Sequence, residues 1–186
     1  MYPEDYRKVI EFHGHSCPGS AIGYRAVKAA IEKADLKRAG DEELVAIVEN
    51  DSCSVDAVQV LLGCTFGKGN LVFKDYGKQV FTFGERTTGK AVRVSLLPGA
   101  LDAPKDLIEE EGEKRREKMV EKILHSPERE LFKVEETKIH LPEEAQIHSS
   151  VLCDRCGEPA METRTVKKDG NVYCIPCANE FPEKKV

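Results

Sequence analysis

Two cysteine pairs, Cys153-Asp154-Arg155-Cys156 and Cys174-Ile175-Pro176-Cys177, constrain this chain more than any other feature. Seventeen residues separate them, which is the spacing of a four-cysteine zinc site. Between the pairs, residues 161–166 and 171–173 read as arms of a hairpin around Asp169-Gly170, a strong turn dipeptide. The second pair runs into Ala178-Asn179-Glu180-Phe181, which reads as a short helix. Knuckle, hairpin and helix predict a treble-clef or zinc-ribbon module over residues 148–186. A module this small buries too little apolar surface to fold without its ion. Four cysteines complete a tetrahedral shell, so the expected zinc is structural. Arg155, Arg164, Lys167 and Lys168 are interleaved with Glu158, Glu162 and Asp169, and no aromatic platform accompanies them. Protein contact is favoured over nucleic acid as the module's use.

A second cluster stands near the other end, in His13-Gly14-His15-Ser16-Cys17-Pro18-Gly19. Two imidazoles and a thiol at alternate positions leave one face of an extended segment. Pro18 suits the first position of a helix, and the residue before a proline is pushed towards extended geometry. Cys17 is therefore predicted as a helix N-cap, where the helix dipole favours a thiolate. Alternate Cα atoms on a strand lie about 6.6 Å apart, while Zn–N and Zn–S bonds are about 2.0–2.3 Å. Convergence of all three on one ion needs a bend at Gly14 or Cys17. A further ligand is expected from Cys53 or Cys64.

The rest of the chain supports an α+β core over residues 1–140, an antiparallel sheet with helices. Residues 2–12 read as a short helix. After Cys17, Ile22, Ala26, Val27, Ala30 and Ile31 form an apolar stripe at helical period. Gly19, Ala21 and Gly23 would let that helix approach another backbone closely. Residues 44–49 read as a buried strand, followed by a polar cluster around Cys53 and a helix over 55–62. The layout places a second cysteine near a second helix start, so Cys17 and Cys53 are expected side by side. Three strand-like runs, 70–76, 78–84 and 90–97, read as a meander. A charged helix follows over about 104–124, with Leu107, Ile108, Met119, Val120, Ile123 and Leu124 as its apolar positions. A short helix to Leu131 comes next, and 132–142 reads as an extended linker. Cys64 reads as a buried structural thiol, and Cys64-Thr65-Phe66-Gly67-Lys68-Gly69-Asn70 as a turn too short to be a P-loop.

The net charge of −5 argues against general nucleic-acid affinity. No apolar stretch is long enough to span a bilayer, and the first residues hold no signal-like run. The expectation is a cytoplasmic protein with no membrane partner. There, seven cysteines point to metal sites rather than disulfides.

Phe12-His13-Gly14-His15-Ser16-Cys17-Pro18-Gly19, with Cys53 and Gly67-Lys68-Gly69-Asn70, resembles the E-subunit family of formylmethanofuran dehydrogenase over roughly the first two-thirds of the chain. The resemblance implies an α+β core that is usually a homodimer. Some members append a treble-clef finger, which matches residues 153–177. It also implies a Cys/His site at His13, His15, Cys17 and Cys53, holding zinc or another divalent transition metal. The name associates the family with an oxidoreductase of methanogenesis. The redox work in such a complex belongs to molybdenum or tungsten pterin and iron–sulfur subunits, and no third cysteine cluster here is spaced for iron–sulfur ligation.

Three functions compete. In the first, Cys17, His15 and Cys53 carry catalysis or formyl/C1 binding at an open metal, with Glu49, Asp51 or Asp56 as general base. In the second, both metals are structural or sensory and the finger docks a partner subunit. In the third, Cys17 and Cys53 work as a redox pair. An open coordination position favours the first, a closed four-ligand core site the second, and a Cys17–Cys53 disulfide the third.

Overall fold

The computed structural model describes residues 2–102 and 112–180. The chain divides into two compact units, Met1–Ala145 and Gln146–Val186.

The larger unit begins with helix α1 (Glu4–His13), which carries Glu4 and Asp5 in its first turn and ends at Gly14 in the left-handed conformation, φ 92°. Acidic residues at the start and a left-handed glycine at the end are what the helix dipole and the unpaired terminal carbonyls favour. Helix α2 (Pro18–Ala34) starts on Pro18, with extended Cys17 as its N-cap. Its apolar stripe of Ile22, Ala26, Val27 and Ala30 is buried. Strand β1 (Leu44–Val48) leads through the Cys53 loop into helix α3 (Ser54–Leu62).

Strands β2 (Leu71–Phe73), β3 (Val80–Glu85), β4 (Ala91–Leu96) and β5 (Phe132–Thr137) complete one mixed five-stranded sheet in the order β2-β1-β3-β4-β5. β3 and β4 pair antiparallel as a hairpin, Phe83 opposite Val92. The meander expected over residues 70–97 is otherwise corrected. β2 lies on the far side of β1 and parallel to it, Ile47 opposite Val72. The reason is connectivity: α3 is a crossover, and a crossover delivers the next strand parallel. The segment read as a linker after Leu131 is instead β5, paired antiparallel along β4. Ile139 and Leu141 beyond it close over Gly84, where any Cβ would come within 2.7 Å of both side chains.

Helices α4 (Gly112–His125) and α5 (Glu128–Leu131) pack Val120, Ile123 and Leu131 into the core. The expected positions Leu107 and Ile108 lie outside the described residues. Arg25 of α2 holds the end of α4, donating to the carbonyls of Ile123 and Leu124 (both 2.6 Å) and of Ser126 (2.7 Å). No helix among the described residues is long and apolar enough to cross a membrane.

The smaller unit has two hairpins and a short helix. β6 (Ser150–Leu152) pairs with β7 (Pro159–Met161) around the first cysteine pair. β8 (Thr165–Lys168) pairs with β9 (Asn171–Cys174). The turn between them places Asp169 and Gly170 at φ 51° and 83°, the two positive values of a tight hairpin turn. Met161, expected on this hairpin, belongs to β7. Helix α6 (Ile175–Asn179) carries Cys177; Phe181 lies outside the described residues.

Candidate metal centres

In the smaller unit one sulfur from each of Cys153, Cys156, Cys174 and Cys177 lies within 4.8 Å of every other. Tetrahedral zinc with bonds of about 2.3 Å sets sulfurs about 3.8 Å apart; Cys156 Sγ and Cys174 Sγ are 3.9 Å apart. The donor set fits zinc in both chemistry and spacing. Backbone N–H groups of Cys156, Cys174 and Arg155 pull the Cys153 thiol down to about 6. Hydrogen bonding among the sulfurs, with Cys174 first, pushes Cys177 up to about 12. Four sulfurs this close cannot all ionise unaided, and a divalent cation is what would hold them as thiolates.

In the larger unit one ligand atom from each of His13, His15 and Cys17 lies within 4.8 Å of the others. The local route differs from the extended segment expected. His13 is the last residue of α1, Gly14 turns the chain through its left-handed conformation, and Cys17 resumes extended at φ −148°. The bend lies at Gly14, one of the two places from which convergence could come. His13 and His15 rings stand 4.5 Å apart. His13 Nε2 lies 3.9 Å from Cys17 Sγ, near the roughly 3.6 Å of two ligands on tetrahedral zinc.

Asp56 holds the other side of the His13 ring, with Oδ2 2.7 Å from Nδ1. That carboxylate raises His13 above the ordinary histidine value. It also makes Nδ1 the donor and leaves Nε2 facing Cys17, the arrangement seen around metal-bound histidines. Asp56, one of three candidate bases, therefore has an orienting partner instead. The signal lay in its place: it is the third residue of α3, the helix expected beside Cys17. Glu49 is paired with Arg93 at 3.7 Å, and Asp51 is exposed.

Cys17 and Cys53 both occupy N-cap positions, of α2 and α3. The two helices meet through glycine. A Cβ on Gly23 would fall 2.1 Å from the Ser54 carbonyl oxygen, and one on Gly19 would fall 2.9 Å from Cys53 Cβ and 3.7 Å from both sulfurs. Cys53 stands outside the group of three whose ligand atoms are mutually close, but its side chain is near enough to Cys17 for each thiol to shift the other's ionisation. Burial works against ionisation of Cys17, and the Ser20 N–H, the Ser20 hydroxyl, Cys53 and His13 together outweigh it and lower the thiol. Burial and the adjacent Cys17 raise Cys53.

Cys64 takes no part. It is fully buried, donates to the Leu44 carbonyl and is pushed up to about 12 by burial. Lys68 spends its charge on the carbonyls of Ala39, Gly40 and Asp41, at 3.3, 3.4 and 3.1 Å. Asn70 clamps the same loop through the carbonyls of Asp41 and Leu44. The Gly-Lys-Gly-Asn turn is thus a brace for the entry to β1.

Both units have counterparts among known proteins. Residues 12–133 match the family described as "FmdE, Molybdenum formylmethanofuran dehydrogenase operon". The chain belongs to the FmdE family. Residues 148–183 match the "Prokaryotic dksA/traR C4-type zinc finger", over the same four cysteines. A tungsten formylmethanofuran dehydrogenase FmdE-like protein from Syntrophus aciditrophicus superposes with TM-score 0.69 at 26% identity, covering 95% of this chain and 91% of that one. A probable S-adenosyl-L-methionine-binding protein of Archaeoglobus fulgidus is 37% identical over 193 aligned positions, 92% of this chain and 51% of that protein. The chain therefore spans about half the length of that curated relative.

Proposed function

We propose that this FmdE protein binds a divalent transition metal, zinc or a similar ion, through His13, His15 and Cys17, with Cys53 flanking, and that this centre serves catalysis or the binding of a small formyl or C1 compound. The observation that carries the reading is the Asp56–His13 contact. A carboxylate 2.7 Å from Nδ1 fixes the ring with its other nitrogen turned to a thiol 3.9 Å away. Three protein donors leave a tetrahedral ion one further position. Such an ion supplies Lewis acidity towards a carbonyl-type oxygen. The chain's own residues do the rest: Asp56 orients His13, and the Ser20 N–H and the neighbouring Cys53 favour the Cys17 thiolate. A cleft of about 240 Å3, lined by His15 and Ser16 and by Glu113, Arg116 and Glu117 of α4, gives small polar molecules a route to His15.

The finger is proposed to hold structural zinc. A role as an accessory protein is the second reading. It is favoured by Leu152, Met161 and Ile175, exposed apolar side chains that suit contact with a protein, in a second copy of the chain or a partner subunit, better than with nucleic acid. Binding of S-adenosyl-L-methionine is not carried over, because half of that relative lies beyond the match.

Metal content of the full chain tests the proposal. Two ions per chain are expected for the wild type and one for Cys17→Ser. A wild type that takes up a single ion, lost on Cys156→Ser, would overturn the core centre and leave the accessory role.

A further inference from the structure

The strongest unassigned feature is a buried hydroxyl. Tyr6 is fully buried, yet its side chain reaches two serines on either side of Cys17. Its oxygen lies 2.9 Å from Ser16 Oγ and 3.0 Å from Ser20 Oγ. The directions of these bonds follow from counting hydrogens. Ser20 has one hydroxyl proton, which goes to the Cys17 carbonyl at 2.9 Å. The same oxygen accepts from Cys17 N–H at 3.1 Å. With the Ser20 proton on that carbonyl, Tyr6 is the donor to Ser20 and Ser16 the donor to Tyr6; Cys17 Sγ also lies 3.6 Å from Ser20 Oγ. A single directed chain results, Ser16 to Tyr6 to Ser20 to the Cys17 backbone, with every donor used. It closes on the sulfur as well, since Ser20 N–H donates to Cys17 Sγ at 3.4 Å.

This chain clamps the segment that has to bend. His15 and Ser16 lie between α1 and α2, outside both helices, and Cys17 is tied to α2 through its carbonyl, which accepts from Ala21 N–H at 3.0 Å, so the helices alone do not set where His15 points. Tyr6 belongs to α1, the helix that ends in His13. Its ring is fixed edge-on to Tyr2 at 5.3 Å and tilted against Tyr24 at 5.1 Å. A rigid aromatic on the helix bearing one donor thus holds the backbone that bears the other two.

We propose that Tyr6 is the positioning residue of the core metal centre, acting through Ser16 and Ser20 to hold His15 and Cys17 in ligating register with His13. The inference rests on the core-metal reading above.

The test compares the full chain with Tyr6→Phe, Ser20→Ala and Tyr24→Phe. Tyr24 is a matched control: it is also buried, and its hydroxyl donates to Asp5 at 3.0 Å, away from the clamp. Zinc affinity is read by competition with a chromophoric chelator, and Co2+ is used for spectra. The core signal is the part of the Co2+ spectrum that Cys17→Ser removes. Tyr6→Phe and Ser20→Ala are expected to weaken the core site about 10–100-fold, the range for groups that orient metal ligands, and to shift its thiolate charge-transfer band. Tyr24→Phe is expected to stay within about twofold, and the finger within about twofold in all three, because neither touches the hydrogen bonds that orient ligands. Wild-type affinity and spectrum in Tyr6→Phe, or in Ser20→Ala should Tyr6→Phe fail to fold, would overturn the positioning role alone. A Co2+ spectrum unchanged by Cys17→Ser would overturn the core centre and this role with it.

Discussion

His13 Nδ1 and Asp56 Oδ2 meet at 2.7 Å, and this contact joins the last residue of α1 to the first turn of α3. The pair is partly buried, with side-chain exposures of 13% and 28%. Its effect on the centre is orientation: the carboxylate selects the tautomer and the ring angle that turn Nε2 to Cys17. Gln59 Nε2 in turn donates to the other oxygen of Asp56 at 3.0 Å.

Asp56→Ala should therefore loosen the core metal by about 10–100-fold and leave the finger's affinity alone. Chelator competition on the full chain measures both. Equal losses at the two sites would mean that the substitution acts through general instability.

Gly23→Ala should be among the most damaging single-atom additions to this protein. The new Cβ would lie 2.1 Å from Ser54 O and 2.7 Å from Ser54 C and Cα, and backbone cannot rotate aside as a side chain does. Overpacking of this kind costs about 1–3 kcal/mol or more, and here it would also separate the two cysteine-capped helix starts. Gly67→Ala, with nothing within 4 Å of the added carbon, should be close to neutral. Urea midpoints of the two variants give the comparison.

What could be read from the sequence follows the range of the forces involved. The Cys17 cap, the start of α2 at Pro18 and the Asp169-Gly170 turn are set by residues within a few positions of one another, and they were legible. The α2–α3 contact was legible through Gly19 and Gly23, since small residues on one helix face have few other uses. Strand partners were not. Nothing within residues 71–73 says that they pair beside β1 rather than β3, because that choice is made by the crossover of α3. β5 looked like a linker because its charged residues, Lys133, Glu135 and Glu136, mask a strand with one buried face. The path of His13 was missed for a similar reason: α1 runs one residue further than its apolar pattern, and only the left-handed Gly14 reveals where it stops. The Tyr6 clamp had no local signal at all, since it links residues 10 and 14 positions away.

Removing metal should affect the finger as a unit. Among its described residues only Cys153 is buried, so the ion replaces a hydrophobic core. A strong chelator at neutral pH should abolish amide protection and chemical-shift dispersion across residues 150–180 while β1, β3 and β4 keep theirs. Retained dispersion in the finger after complete zinc removal would show that its two hairpins hold without the ion.

The tie that places α1 should respond to pH. Asp5 accepts from Lys28 Nζ at 2.8 Å and from the Tyr24 hydroxyl at 3.0 Å, linking the start of α1 to α2. Partial burial pushes its carboxyl up, but the Lys28 and Tyr24 hydrogen bonds and the Lys28 charge outweigh this and hold it below the ordinary carboxylate value. A carboxyl lowered by folding binds its proton more weakly in the native state than in the unfolded chain. Its stabilisation is therefore complete above the unfolded value of about 3.9 and disappears as pH falls through the lower native one. Asp5→Asn should accordingly melt below the wild type at pH 7, and the two melting curves should converge as the solution is acidified past that native value. Salt should narrow the gap at pH 7 as well, because the Lys28 side chain is 47% exposed and exposed pairs are screened. A gap that stayed constant from pH 7 into the acid range would show that the ionisation of Asp5 is not its source and would remove charge from the account of how the start of α1 is held in place.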